Sequence, residues 1–99
     1  GPLLFEAELT KDLNGARLGI DVQPFIEDAY AGLSVRRVNK GGVVEVWNRT
    51  NASGRQIQVG DSIILVNGLA MQHMDMLREM RTSDRLRLTI LRGPERSLE

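Results

Sequence analysis

The stretch Arg17-Leu18-Gly19-Ile20-Asp21-Val22 sets a single glycine between two apolar residues, and an alternating run follows it. A tight turn over 18–20 keeps backbone N–H groups out of any sheet ladder, and successive amides of that kind can converge on one anion. The strand that follows, over 20–23, puts Ile20 and Val22 on one face and Asp21 and Gln23 on the other. At the margin of a sheet such a strand offers an edge to which an extended peptide adds as one more strand. A turn that holds a carboxylate, at the head of an open edge, reads the end of another protein's chain.

Composition narrows the classes of function. A chain of 99 residues has room for one core, and a domain of this size buries roughly 60–70% of the surface of its unfolded chain, enough to fold without staples. There is no cysteine, which removes disulfides and thiolate metal sites and fits a reducing compartment. Thirteen basic residues balance thirteen acidic ones, so no global field draws nucleic acid or anionic membrane. With one Trp, one Tyr and two Phe there is no base-stacking surface. No apolar run is long enough to span a bilayer or to form a secretory core. Gly1-Pro2 reads as a tag remnant and is set aside.

Outward from the opening stretch, Phe5-Glu6-Ala7-Glu8-Leu9 alternates as a half-buried first strand with its glutamates in water, and Asn14-Gly15 is a turn. Pro24 is expected to end regular pairing, leaving 25–32 as a loop. A strand over 33–38 points Leu33, Val35 and Val38 inward after a local irregularity. Arg36, Arg37 and Lys40 form a small basic patch at its end, suited to acidic residues upstream in a peptide. Gly41-Gly42 stops that strand. Over 43–48, Val43, Val46 and Trp47 recur at helical spacing, so a short helix is predicted with Trp47 in the core. Asn48-Arg49-Thr50 and Asn51-Ala52-Ser53 match the glycosylation pattern by chance. Val59-Gly60-Asp61 turns into Ser62-Ile63-Ile64-Leu65-Val66, an apolar strand expected to be buried on both faces, and Asn67-Gly68 closes it.

From 72 to 81 a helix is predicted, with His73, Met76, Leu77 and Met80 on one face and Asp75, Arg78, Glu79 and Arg81 on the other. Arg85-Leu86-Arg87-Leu88-Thr89-Ile90 alternates as the last strand, and a disordered tail is expected from Gly93-Pro94. The fold class is mostly β with two helices: a small, partly open antiparallel barrel or sandwich of five to six strands, capped by two α-helices.

In this order, four features resemble a PDZ domain over residues 4–92. They are the loop Arg17-Leu18-Gly19-Ile20, the Gly41-Gly42 before the first helix, the run Val59-Gly60-Asp61 with Ile64-Leu65-Val66-Asn67-Gly68, and the helix beginning near His73. The resemblance implies that the amides of Leu18, Gly19 and Ile20 bind a partner's terminal carboxylate, with Arg17 adding charge. It implies that the peptide pairs with Ile20, Asp21, Val22 and Gln23, in a groove between that strand and the second helix. Leu18, Ile20, Val22, Leu77 and Met80 would line the pocket for the ligand's last side chain. His73 would select a Ser or Thr hydroxyl on the third-from-last ligand residue, giving Ser/Thr-X-hydrophobic ends. The family usually has glycine where Arg17 stands, and its basic residue before the loop has no clear match, since Leu13 sits near that place and Lys11 is slightly early. The segment 43–58 is longer than usual, and the connection 68–73 is shorter.

The implied partners are C-terminal peptides of other proteins, membrane-protein tails among them, met by a monomer in the cytoplasm or at the membrane periphery through those partners. No cofactor, metal, nucleic acid or membrane insertion is expected. An enzyme is the weaker reading, because the single histidine has no nucleophile or orienting carboxylate at a suitable spacing. The alternative is a domain-pairing module, a non-catalytic part of a larger scaffold or enzyme that takes an internal motif or another domain.

Overall fold

Alternation builds the sheet. In the computed structural model, which describes residues 2–11, 16–27, 30–51, 54–70 and 72–93, β1 (Leu3–Thr10) buries Phe5, Ala7 and Leu9 and leaves Glu6 and Glu8 in solvent. The other elements are β2 (Ile20–Ile26), β3 (Ala31–Val38), α1 (Val43–Thr50), β4 (Ser62–Val66), α2 (His73–Thr82) and β5 (Arg85–Arg92). One five-stranded antiparallel sheet has the order β1-β5-β4-β3-β2, capped by the two helices. Leu33, Val35, Ile63, Val66, Leu86, Leu88 and Ile90 from the strands meet Val44, Met76 and Met80 from the helices in a single core. Among the described residues no helix is long and apolar enough to cross a membrane. The expected Asn14-Gly15 turn and the tail from Pro94 onward lie outside the described residues.

Several expectations need correction. Pairing does not stop at Pro24: β2 continues to Ile26 and β3 begins at Ala31, so the connection shrinks to 27–30. Backbone groups alternate in direction along a strand, and Val35 bonds toward the β4 side, its N–H donating to the Asp61 carbonyl and its carbonyl accepting from Gly60 N–H. Ser34 and Gly32 therefore face β2 and pair with Gln23 and Phe25, which leaves the Pro24 nitrogen on the open side where no ladder bond is lost. In α1 the buried residue is Val44, whereas Val46 is 47% exposed. The helix docks through its first turn, and that contact, rather than the spacing of its valines, sets which side faces in. In β4 only Ile63 and Val66 are fully buried, because the register shifts between Ile63 and Leu65 and leaves Ile64 and Leu65 half-covered.

Side-chain hydrogen bonds fix the irregular segments. Asn48 donates through Nδ2 to the Ile57 carbonyl at 2.8 Å and accepts from Ile57 N–H at 2.7 Å, so the long segment after α1 is stapled back to the helix. Trp47, half-buried against the core, donates through Nε1 to the Arg55 carbonyl. Asp61, 1% exposed, accepts from Arg92 Nε at 2.7 Å, Arg92 Nη2 at 2.9 Å and Gln58 N–H at 2.8 Å. Hydrogen bonding to that carboxylate raises the pKa of Arg92 above its ordinary value. Asn67 and Gly68 both take positive φ, 49° and 83°, as the Asn-Gly turn requires.

Candidate functional site

The turn over 17–20 is held by its oxygens. Val43 N–H donates to the Arg17 carbonyl at 3.1 Å, Val44 N–H to the Leu18 carbonyl at 3.0 Å, and Asn39 N–H to the Gly19 carbonyl at 2.8 Å. In a trans peptide the carbonyl and the following N–H point in opposite directions. Three successive peptide planes thus have their oxygens tied to the protein and their N–H groups, those of Leu18, Gly19 and Ile20, turned the other way. Within the described residues no hydrogen bond uses the N–H of Leu18 or Gly19. The arrangement suits an anion: donors converge, and the positive end of α1 lies directly behind them.

Two glycines make that approach possible. Gly19 sits at φ +76°, and a Cβ there would come within 2.7 Å of the Gly42 Cα; a Cβ on Gly42 would come within 2.5 Å of the Gly19 Cα and 2.9 Å of the Leu18 carbonyl oxygen. The N-terminal turn of α1 is completed by Glu45, whose Oε1 accepts from Gly41 N–H at 2.7 Å. In the sequence Gly41-Gly42 marks the end of a strand and the approach to the first helix. Nothing in local spacing signals that Gly42 must touch a residue 23 positions earlier.

From this turn β2 runs along the margin of the sheet beside α2. Asp21 and Gln23 turn their backbone groups to β3, so the outward-facing donors and acceptors are those of Ile20 and Val22, with the Pro24 carbonyl next. Between β2 and α2 lies a cleft of about 970 Å³. It brings together Arg17, Leu18, Gly19, Ile20, Asp21, Val22, Leu77 and Met80, as the sequence reading grouped them. Gln23 lies outside this cleft, on the opposite sheet face. Leu18 and Met80 form the floor and join the core, while Ile20, Val22 and Leu77 are half-buried on the walls.

His73, the first residue of α2, does not line the cleft. Its Nε2 is buried and has no hydrogen-bond partner among the described residues. Met76, placed on the same helical face by spacing, is wholly in the core.

Cations surround the mouth. Arg17, Lys40 and Arg81 are exposed along the lining, with Asp84 the unlike charge beside them. Lys11 is absorbed elsewhere: its Nζ donates to the Met80 carbonyl at 2.6 Å and to the Arg81 carbonyl at 3.2 Å, closing the C-terminal end of α2 where partial negative charge accumulates. Asp21 is engaged by Arg37 at 3.8 Å and Asn39 at 3.4 Å, both exposed contacts. Of the basic patch expected at Arg36, Arg37 and Lys40, Lys40 lines this cleft and the two arginines do not; Arg81 and the Lys11 anchor have no local pattern that joins them to it. Among the described residues no group of three or more His, Cys, Asp or Glu is placed to hold a metal.

No family model and no curated protein matches the sequence. Among solved structures, the chain is similar to the dmPar3 PDZ1 domain, solved in complex with the dmPar6 PBM. The TM-score is 0.64 at 26% identity, covering 90% of this chain and 94% of that one.

Proposed function

We propose that this chain, a PDZ domain by fold and structural homology, captures the free C-terminus of partner proteins by strand addition between β2 and α2. The observation that carries the reading is the set of three oriented peptide planes at the head of an open edge. A terminal carboxylate would accept from the N–H groups of Leu18, Gly19 and Ile20, with Arg17 adding positive charge. The last ligand side chain would enter the pocket of Leu18, Ile20, Val22, Leu77 and Met80. Burying a Val or Leu there is worth roughly 1.5–3 kcal/mol, and each bond to the charged carboxylate about 1.5–3 kcal/mol. After ordering costs, micromolar affinity, about −8 kcal/mol, is expected.

The preference for Ser/Thr-X-hydrophobic ends rests on His73. Its partnerless Nε2 would gain a partner from a ligand hydroxyl once the ring turns toward the groove. His73→Ala should therefore lower selectivity for Ser/Thr peptides more than overall affinity, and an unchanged Ser/Thr preference would remove His73 from the role. The module is non-catalytic and works in the cytoplasm, reaching the membrane periphery through its partners.

Fluorescence-anisotropy titration tests the reading with labelled peptides ending in Ser/Thr-X-Val or Leu, in apolar-X-apolar, or in acidic-X-apolar. Each is run with a free and an amidated C-terminus. Binding lost on amidation and strongest for Ser/Thr is the expected result. Tight binding indifferent to amidation would overturn it in favour of an internal motif or a domain partner.

A further inference from the structure

Pro24 stands in the middle of the edge strand that the proposed function uses. Its place in the ladder can be worked out from both ends of β2. At one end the Gly19 carbonyl accepts from Asn39 N–H, and at the other Glu27 N–H donates to the Tyr30 carbonyl. Residues 19, 21, 23, 25 and 27 therefore turn their backbone groups to β3, and 20, 22, 24 and 26 turn theirs to the open side. The register shift between Asp21 and Val22 is taken up by β3, where Arg36 is the extra residue, so the alternation along β2 is uninterrupted. Along the open side the chain offers N–H and C=O at Ile20 and Val22, C=O alone at Pro24, and both again at Ile26. Proline carries no N–H.

The facing wall is of similar length. The ten residues of α2 span about 15 Å, and the edge from Ile20 to Pro24 spans about 13 Å. Beyond Pro24, Ile26 is 80% exposed although it shares a face with Ile20 and Val22.

We propose that Pro24 sets the length of peptide that this edge can pair. The added strand exchanges backbone hydrogen bonds with Ile20 and Val22, donates one N–H to the Pro24 carbonyl, and leaves the edge there. Pairing covers about the last five ligand residues, since alternate residues of an added strand face the edge. Residues farther upstream contribute through side chains only. The missing donor also blocks accidental extension of the sheet along the second half of β2.

The inference rests on carboxylate capture, and the test separates the two. Free-carboxylate peptides of four, six, eight and ten residues, with alternating Ala and Ser upstream, are titrated against the protein and against Pro24→Val. A β-branched residue at this exposed edge position suits the strand. The protein should reach its full affinity at six residues, whereas Pro24→Val should bind the six-residue peptide two- to tenfold more tightly than the protein does, the worth of the restored hydrogen bond to the fifth-from-last ligand residue, and should gain again at eight residues as pairing continues to Ile26.

Amide hydrogen exchange at saturation reads the same point in the unaltered protein: Ile20 and Val22 N–H gain protection from the ten-residue peptide and Ile26 N–H does not. Protection of Ile26 N–H, or the same length dependence in both proteins, overturns the proposal. If the four-residue peptide binds equally well when amidated, or no peptide binds, the carboxylate reading fails and takes the proposal with it.

Discussion

Replacing Gly42 by alanine adds one methyl group at the contact between α1 and the turn over 17–20. Gly42 has φ −88° and ψ 175°, a conformation alanine adopts freely, so the effect is steric alone. The new Cβ would lie 2.5 Å from the Gly19 Cα, and reaching 3.4 Å, the near edge of ordinary contact, moves the two backbones apart by about 0.9 Å. The bonds from Val43 to Arg17 and from Val44 to Leu18, at 3.1 and 3.0 Å, would then be broken. Each is worth about 1 kcal/mol net, and more where a group stays buried and unpaired, so a loss of roughly 2–4 kcal/mol of stability is expected.

That loss is a large share of the 5–15 kcal/mol typical of a domain. It should appear as a lower urea midpoint with unchanged slope, followed by Trp47 fluorescence. The same displacement swings the Leu18 and Gly19 amides off the carboxylate, and losing one charge-assisted bond costs at least tenfold in Kd, about 1.4 kcal/mol. Gly41→Ala is the control. Gly41 has φ +83° but nothing within 4 Å of its Cβ, so it should cost only about 1–2 kcal/mol of backbone strain and leave peptide affinity unchanged. A Gly42→Ala protein with the parent's midpoint and Kd would refute the reasoning.

Two further outcomes follow from the hydrogen-bond network. Arg92→Leu leaves the buried Asp61 carboxylate with Gln58 N–H as its remaining donor among the described residues and should cost about 3–5 kcal/mol, whereas Arg92→Leu with Asp61→Leu should recover much of it; equal or additive losses in urea titration would contradict this. Glu79 has its pKa lowered below 4.5 by hydrogen bonds from Ser83 and then Asn67, so its contribution to stability is fully present above that value and is lost as pH falls through the folded one. The stability difference between the protein and Glu79→Gln, measured by urea titration, should hold from neutral pH to about pH 5 and shrink below pH 4.5; a difference that grows on acidification would reverse the sign.

The parts of the fold that could be read from sequence are those where one residue type answers to one local demand. Phe5, Ala7 and Leu9 alternate because one sheet face is buried, and Asn67-Gly68 announces a turn because few residues accept positive φ at both positions. Helical spacing sets Leu77 and Met80 on one face with His73 and Met76, and the resemblance to PDZ domains is what assigned Leu77 and Met80 to the groove. Pro24 was misjudged because proline tells which atom is missing but not which way that atom would have pointed. Val44 was missed for a related reason: in a helix of two turns, the inward side is chosen by what the helix docks against. The anchoring of Lys11 on the end of α2 joins residues 69 and 70 positions apart, beyond the reach of any local pattern.

The donors at the head of the groove are main-chain atoms, and this has a genetic consequence. Substituting the side chains at 17, 18 or 20 cannot delete an amide, so an alanine scan of the turn would understate its part in binding. Changes there would tune the pocket and the charge around it. Losing the donors takes a proline in the turn or a change at a distance, at Gly42 or in the first turn of α1, where no ligand atom arrives. Mutations that silence binding should therefore cluster behind the groove, and those that retarget it should cluster along its walls.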